Sequence, residues 1–278
     1  MAQAMISAFH WRRIGAQLLA LLAGTAAMLF LIPLSCAAQN MMNDKHNAID
    51  IVLVHGAFAD GSSWSQVIAL LQQKGYRVTA VQNPLSSLAD DVSATRRVID
   101  RQPHEVLLVG HSWGGAVITA AGNASKVRGL VYLSALAPDS GQSVAQMLQR
   151  LHAPMSGMQP DADGLIWLDD AAAYAQVMAG DVSPEQVRHL AAVQQPIAAA
   201  AFGEPLVHAA WRDKPSWYLI TEGDQALPTA VQRKLATLLG ARTRQLISSH
   251  MSLVSHPQVV ADFIEQAAQA IQAQDPSP

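Results

Sequence analysis

A chain of 278 residues, half of them hydrophobic and 14% charged, has the make-up of one ordinary soluble domain with a large core, preceded by a short segment of different character. Its formal net charge is -3, with 18 Lys and Arg dispersed among 21 Asp and Glu, which argues against the basic surface that nucleic-acid binding requires. The single cysteine, Cys36, lies in that early segment, so the body of the chain holds neither a disulfide framework nor a thiol nucleophile.

At the start, Arg12 and Arg13 precede an uncharged run from Ile14 to Ile32, and Pro33, Ser35, Ala37 and Ala38 follow. Basic residues, an apolar stretch and then small side chains mark a secretory signal. Residues 1–38 are therefore expected to be a signal peptide cleaved near Ala37 or Ala38, making the chain periplasmic or extracellular. The alternative is an uncleaved N-terminal anchor, because about 20 apolar residues span a bilayer. A lipid on Cys36 is a further, less favoured, route to a membrane.

From residue 39 onward, short apolar runs alternate with helix-length stretches, the pattern of a mostly parallel sheet covered by helices on both faces. The expected strands are Ile51 to Val54, Val78 to Val81, Val106 to Val109, Leu130 to Ser134, Trp217 to Thr221 and Arg244 to Ile247. A helix from Trp64 to Lys74 should close at Gly75. Between about 138 and 215 the sequence carries two helix-like patterns and no convincing strand, which suggests a helical lid inserted into an α/β domain. The tail "QDPSP" is expected to be disordered.

Within that frame, Gly-His-Ser-Trp-Gly at 110–114 follows a buried strand and precedes a helix. It matches the G-x-S-x-G turn that raises a nucleophilic serine above a sheet, which makes Ser112 the candidate nucleophile. A hydroxyl needs a base to take its proton and an acid to hold that base. In chains with this turn, the acid and then the histidine follow the serine. His250 and His256 lie beyond the last expected strand; His256 precedes Pro257 and reads as the start of a helix, so His250 is the preferred base. For the acid, "WYLITEGDQALP" offers Glu222 and Asp224, of which Asp224 is preferred, while Asp139 in "APDSG" reads as a turn residue. The backbone amides of Ala57, in the loop "LVHGAFADGSSW", and of Trp113 are candidates for holding an oxyanion. Trp64, Trp167, Trp211 and Trp217 are expected to pack in the core or insertion. Met147, Met155, Met158 and Met178 could instead form an adaptable wall over a ligand. No HExxH, CxxC or phosphate-loop pattern occurs, so no metal or nucleotide cofactor is implied.

From Ile51 to Ala268 the chain resembles the α/β-hydrolase superfamily, in the branch of plant methyl-ester esterases, hydroxynitrile lyases and their bacterial relatives. The likeness rests on "VLVHGAFADGSSW", "VGHSWGG", "AWRDKPSWYLITEGDQALP" and "SSHMSLVSHP". It implies Ser112 as nucleophile, Asp224 as acid and His250 as base, with the amides of Ala57 and Trp113 as oxyanion hole. Relatives read threonine-glutamate-aspartate where Gly223 intervenes here, which leaves Glu222 open beside Asp224. The lyases carry threonine at the position of Gly56 and lysine at that of Met251. Cleavage of a small-molecule ester is thus the implied activity, with a lyase or a non-catalytic ligand-binding member of the fold as alternatives.

Overall fold

Central strands of a parallel sheet are covered on both faces, so they must be apolar along their whole length. The computed structural model describes residues 49–153 and 158–273, which belong to one compact unit, Asn47–Pro278. The expectations for residues 1–38 and for the tail at 274–278 lie outside the described residues. In chain order the first half runs β1 (Ile49–Val54), α1 (Ser65–Gln73), β2 (Val78–Val81), α2 (Leu88–Arg101), β3 (Glu105–His111), α3 (Trp113–Ala121) and β4 (Val127–Leu133). An insertion follows, with α4 (Val144–Arg150), β5 (Leu165–Ile166), α5 (Ala171–Val177), α6 (Pro184–Val193) and β6 (Ile197–Ala198). The chain then closes through β7 (Ser216–Thr221), α7 (Thr229–Leu238), β8 (Arg242–Leu246), α8 (Ser252–Ser255) and α9 (Pro257–Gln272).

Six strands form a sheet in the order β2-β1-β3-β4-β7-β8, and every neighbouring pair is parallel. Strands β1 and β7 are buried at every position, and β3 and β4 at all but one. Strand β8, at the edge, has the sequence RTRQL and no buried residue. It starts two residues before the expected Arg244 because an edge strand needs no apolar run to announce it.

Chain order reverses between β1 and β3. From β1 the chain steps outward to β2, then returns to lay β3 on the other side of β1. A crevice opens at the C-terminal ends of strands where such a switch occurs, and ligands in open α/β sheets bind there. The loop after β1 and the turn after β3 both emerge at that point.

Helix α1 ends as expected: Lys74 is its C-cap, and Gly75 follows at φ 85°. Among its described residues the insertion differs from expectation, with three α-helices and a two-stranded antiparallel pair, β5–β6. Strands of two residues are too short to show a period-two pattern, and α4 and α5, at seven residues each, barely complete two turns.

Candidate active site

Where β3 gives way to α3 the backbone turns sharply, and Ser112 sits at φ 51° and ψ -120°. A residue with a side chain is strained at positive φ, and the strain persists only where neighbours enforce it. Ser112 N donates to Leu133 O at 3.2 Å, while Ser112 O accepts from Gly115 N and Leu136 N at 3.0 Å each. Gly114 lies so close to β1 that a Cβ there would run into the Val54 carbonyl oxygen and sit 2.8 Å from that of His55. Helix and strand can meet this closely because position 114 has no side chain. Ser112 is partly exposed while His111, Trp113, Gly114 and Gly115 are buried. The turn thus lifts one hydroxyl out of the core to the N-terminus of α3, where the helix dipole favours negative charge.

His250 and Asp224 come together from loops after β8 and β7. His250 Nδ1 lies 2.7 Å from Asp224 Oδ2, and both side chains are almost wholly buried. Asp224 Oδ2 also accepts from Thr221 Oγ1 at 2.8 Å and Gln232 Nε2 at 2.9 Å, and Oδ1 from the amides of Ala226 and Leu227 at 2.8 Å each. Burial alone would raise the carboxyl's pKa, but His250 and these donors outweigh it and hold it below the ordinary value. An ionised acceptor at Nδ1 puts the proton there, leaving Nε2 as the basic nitrogen. Nε2 is buried and has no hydrogen-bond partner. His250 and Ser112 line the same cavity of about 310 Å³ without a hydrogen bond between them; such bonds are often long until substrate arrives.

The competing residues lie elsewhere. Glu222 pairs with Arg233 at 2.7 Å, with its side chain turned to the surface. Asp139 is held by Arg212, through Nε at 2.7 Å and Nη2 at 2.5 Å. His256 is the N-cap residue of α9, as its place before Pro257 suggests.

Ala57 and Trp113 both line the cavity. The loop carrying Ala57 is fixed by His55, which donates from Nδ1 to Gly56 O at 2.8 Å and accepts from Asn83 N through Nε2 at 2.9 Å. Only the neutral ring can do both, and burial lowers its pKa accordingly. Gly56 fits because a Cβ there would lie 2.8 Å from that of Ser112. A larger side chain there would press on the turn that carries Ser112. Met251 is fully buried.

Three further residues support the site without having been singled out by motif. His111 donates from Nε2 to His250 O at 3.0 Å, and burial drives its pKa down to about 3, so it stays neutral. Asp91, on α2, accepts from Trp113 Nε1 at 2.7 Å and from Leu85 N at 2.8 Å. Asp181, in the insertion, accepts from Ser249 N at 3.0 Å. His55 and His111 lie inside the quoted motifs, a weak signal; the two aspartates had none, since Trp113 and Ser249, which they hold, are remote from them in sequence. Among the four methionines, Met158 and Met178 line the cavity, Met147 is buried outside its lining, and Met155 lies outside the described residues. Trp64, Trp211 and Trp217 are buried away from the cavity; Trp167 is 47% exposed, contrary to its expected packing, with its indole bonded to Asp161.

A parallel sheet in this order, with a serine raised at the end of its third strand, is the architecture of a class of hydrolases. Comparison with known families agrees: the chain belongs to the alpha/beta hydrolase family, whose model matches residues 51–263, and it is an enzyme of that group. An alpha/beta hydrolase of Aspergillus novofumigatus is 28% identical over 247 residues, covering 78% of this chain and 96% of that protein. Methylesterase 1 of Arabidopsis thaliana is 29% identical over 130 residues, 41% of this chain and 49% of the relative. Among solved structures, a pyrethroid hydrolase from Sphingobium faniae superposes with a TM-score of 0.70 at 25% identity, covering 80% of this chain and 98% of the other.

Proposed function

We propose that the protein hydrolyses small carboxylic esters through an acyl-enzyme on Ser112. The observation that carries this reading is the His250–Asp224 pair, with its basic nitrogen unpartnered, in the wall of the cavity that also displays Ser112. In the first half-reaction Ser112 Oγ attacks the ester carbonyl while His250 Nε2 takes its proton, then gives it to the departing alcohol. The amides of Ala57 and Trp113 hold the oxyanion, and Asp224 stabilises the imidazolium. Water, activated by the same nitrogen, then releases the acid and restores Ser112.

Among the described residues, His250 is the one ionisable side chain lining the cavity, whose wall includes Phe58, Leu136, Met178, Phe202 and Leu227. A neutral ester suits such a surface. The methylesterase and hydrolase relatives support the ester reading. The segment at 1–38, read as a signal, adds export to the proposal.

The test is stopped-flow hydrolysis of p-nitrophenyl esters of increasing acyl length. A burst of nitrophenol followed by slower turnover is expected for the wild type, and no burst for Ser112→Ala. Asp224→Asn should lower kcat by several orders of magnitude, roughly 10⁴-fold in a serine protease of the same logic. Undiminished turnover by Ser112→Ala would overturn the proposal, and ligand binding without turnover would favour the non-catalytic alternative.

A further inference from the structure

A base acts only if its ring is held at the right height over the nucleophile, and a side chain can be no better placed than the backbone that carries it. The loop carrying His250 is gripped on both sides of that residue by one short stretch of the insertion. Before it, Ser249 N donates to Asp181 Oδ2 at 3.0 Å, and Ser249 Oγ donates to Asp181 Oδ1. After it, Met251 N donates to Met178 O at 3.0 Å. The amides flanking His250 are therefore both satisfied by the four residues that follow α5.

The same piece of chain also reaches the oxyanion loop. Tyr174, fully buried on α5, donates from Oη to Phe58 O at 3.0 Å, one residue beyond Ala57. Through Tyr174, Met178 and Asp181, a single helix and its exit turn tie together the loops that bear the proposed base and oxyanion amide. Burial would raise the Asp181 pKa, but the Ser249 hydroxyl and amide outweigh it and keep the carboxyl below its ordinary value, hence ionised at neutral pH. His256 Nδ1, at 3.6 Å from Oδ2, is the basic group beside it.

We propose that Asp181 is a positioning residue for the reaction, and that Tyr174–Asp181 is a fixed brace holding the His250 loop against the Ala57 loop. This part of the insertion stays in place during turnover, because swinging it away would release the backbone on both sides of His250. The inference rests on the proposed roles of Ser112 and His250.

Its test is a comparison of Asp181→Ala, Asp181→Asn and Ser249→Ala in the full chain, with p-nitrophenyl acetate as substrate. A misplacement of about 1 Å costs on the order of 10²-fold in rate, so Asp181→Ala should lower kcat by about that factor with KM changed less than about threefold. Asparagine keeps an oxygen for the Ser249 amide and offers an N–H to the Ser249 hydroxyl, so Asp181→Asn should recover most of the lost kcat. Ser249→Ala, which keeps the amide bond and loses only the hydroxyl, should fall in between and preserves the test if Asp181→Ala does not fold. The rate at which a phosphonate ester labels Ser112 should follow kcat through the series.

Wild-type kcat in folded Asp181→Ala, or a loss confined to KM, would overturn the brace while leaving the ester-hydrolase reading intact. Retained activity in Ser112→Ala, run alongside, would overturn the reading on which the brace rests. An Asp181→Asn variant as slow as Asp181→Ala would show that charge, not position, is what Asp181 supplies.

Discussion

Asp91 shows how much a single buried carboxylate can say about a site. It has no exposed surface, and its two hydrogen-bond donors, the Trp113 indole and the Leu85 amide, are neutral. Burial raises its pKa to about 6, against the pull of those two bonds. A carboxyl with a raised folded-state pKa favours folding most when protonated, so its contribution falls as pH rises from about 4 to about 6 and is constant above. Placing it there supplies an ionic acceptor for the side chain of Trp113, the residue that follows the proposed nucleophile. The indole 15N–1H resonance of Trp113 is expected to titrate with a midpoint near pH 6, and Asp91→Asn to abolish that transition; a flat response between pH 5 and 7 would contradict this account. Ser112, Asp224 and His250, the proposed nucleophile, acid and base, were legible as candidates because each sits in a short stretch whose neighbours carry meaning: the paired glycines, the end of an apolar run, the last loop before a terminal helix. Asp91 and Asp181 were not, because a carboxylate in the first turn of a helix or in a loop has an ordinary local explanation. Trp113 and Ser249, the site residues they hold, lie 22 and 68 positions away.

Among elements, the contact between α3 and β1 bears most directly on the site, since it forces the strained turn at Ser112. Gly114→Ala would drive a methyl group into the Val54 carbonyl oxygen, a backbone clash that no rotamer relieves. Overpacking of this kind costs about 1–3 kcal/mol. A melting temperature lower by several degrees and an activity loss above about tenfold are expected. Gly203→Ala is the control: a Cβ there meets nothing within 4 Å, and the variant should match the wild type in both measurements. Equal behaviour of the two variants would show that the close approach does not shape the turn. The same contrast between packed and open positions explains which elements could be read in advance. Strands β1, β3, β4 and β7 are nearly all buried and appear as apolar runs, whereas β8 is polar and was displaced by two residues. In the insertion, tertiary contacts such as Ala198 N to Leu85 O at 2.9 Å and Ala199 N to Gly164 O at 2.9 Å, not local periodicity, set the path of the chain.

For the molecule as a whole, the topology gathers the active loops at one end of the sheet and encloses them with neutral histidines. His55 and His111 both have lowered pKa values through burial. The unfolded chain therefore takes up protons below about pH 6.5 that the folded chain refuses. Their contribution to stability is complete above that pH and declines as pH falls toward the folded-state values. His111, held at about 3, accounts for a loss of about 2 kcal/mol by pH 5; His55 acts in the same direction, and the opposite change at Asp91 offsets only part of it. The urea midpoint should accordingly be lower at pH 5 than at pH 7; an equal or higher midpoint would mean that these imidazoles accept protons without unfolding. On the proposed mechanism activity should fall with acid as well, since the general base must be unprotonated to act. The central claim is chemical, however: that Ser112 becomes covalently acylated. Acid-quenched protein taken during turnover of p-nitrophenyl acetate, digested and read by mass spectrometry, tests it most directly. The account predicts one acetyl group on the peptide containing Ser112 and none in the Ser112→Ala variant; steady ester turnover with that peptide unmodified, or with the acetyl group on another residue, would contradict it.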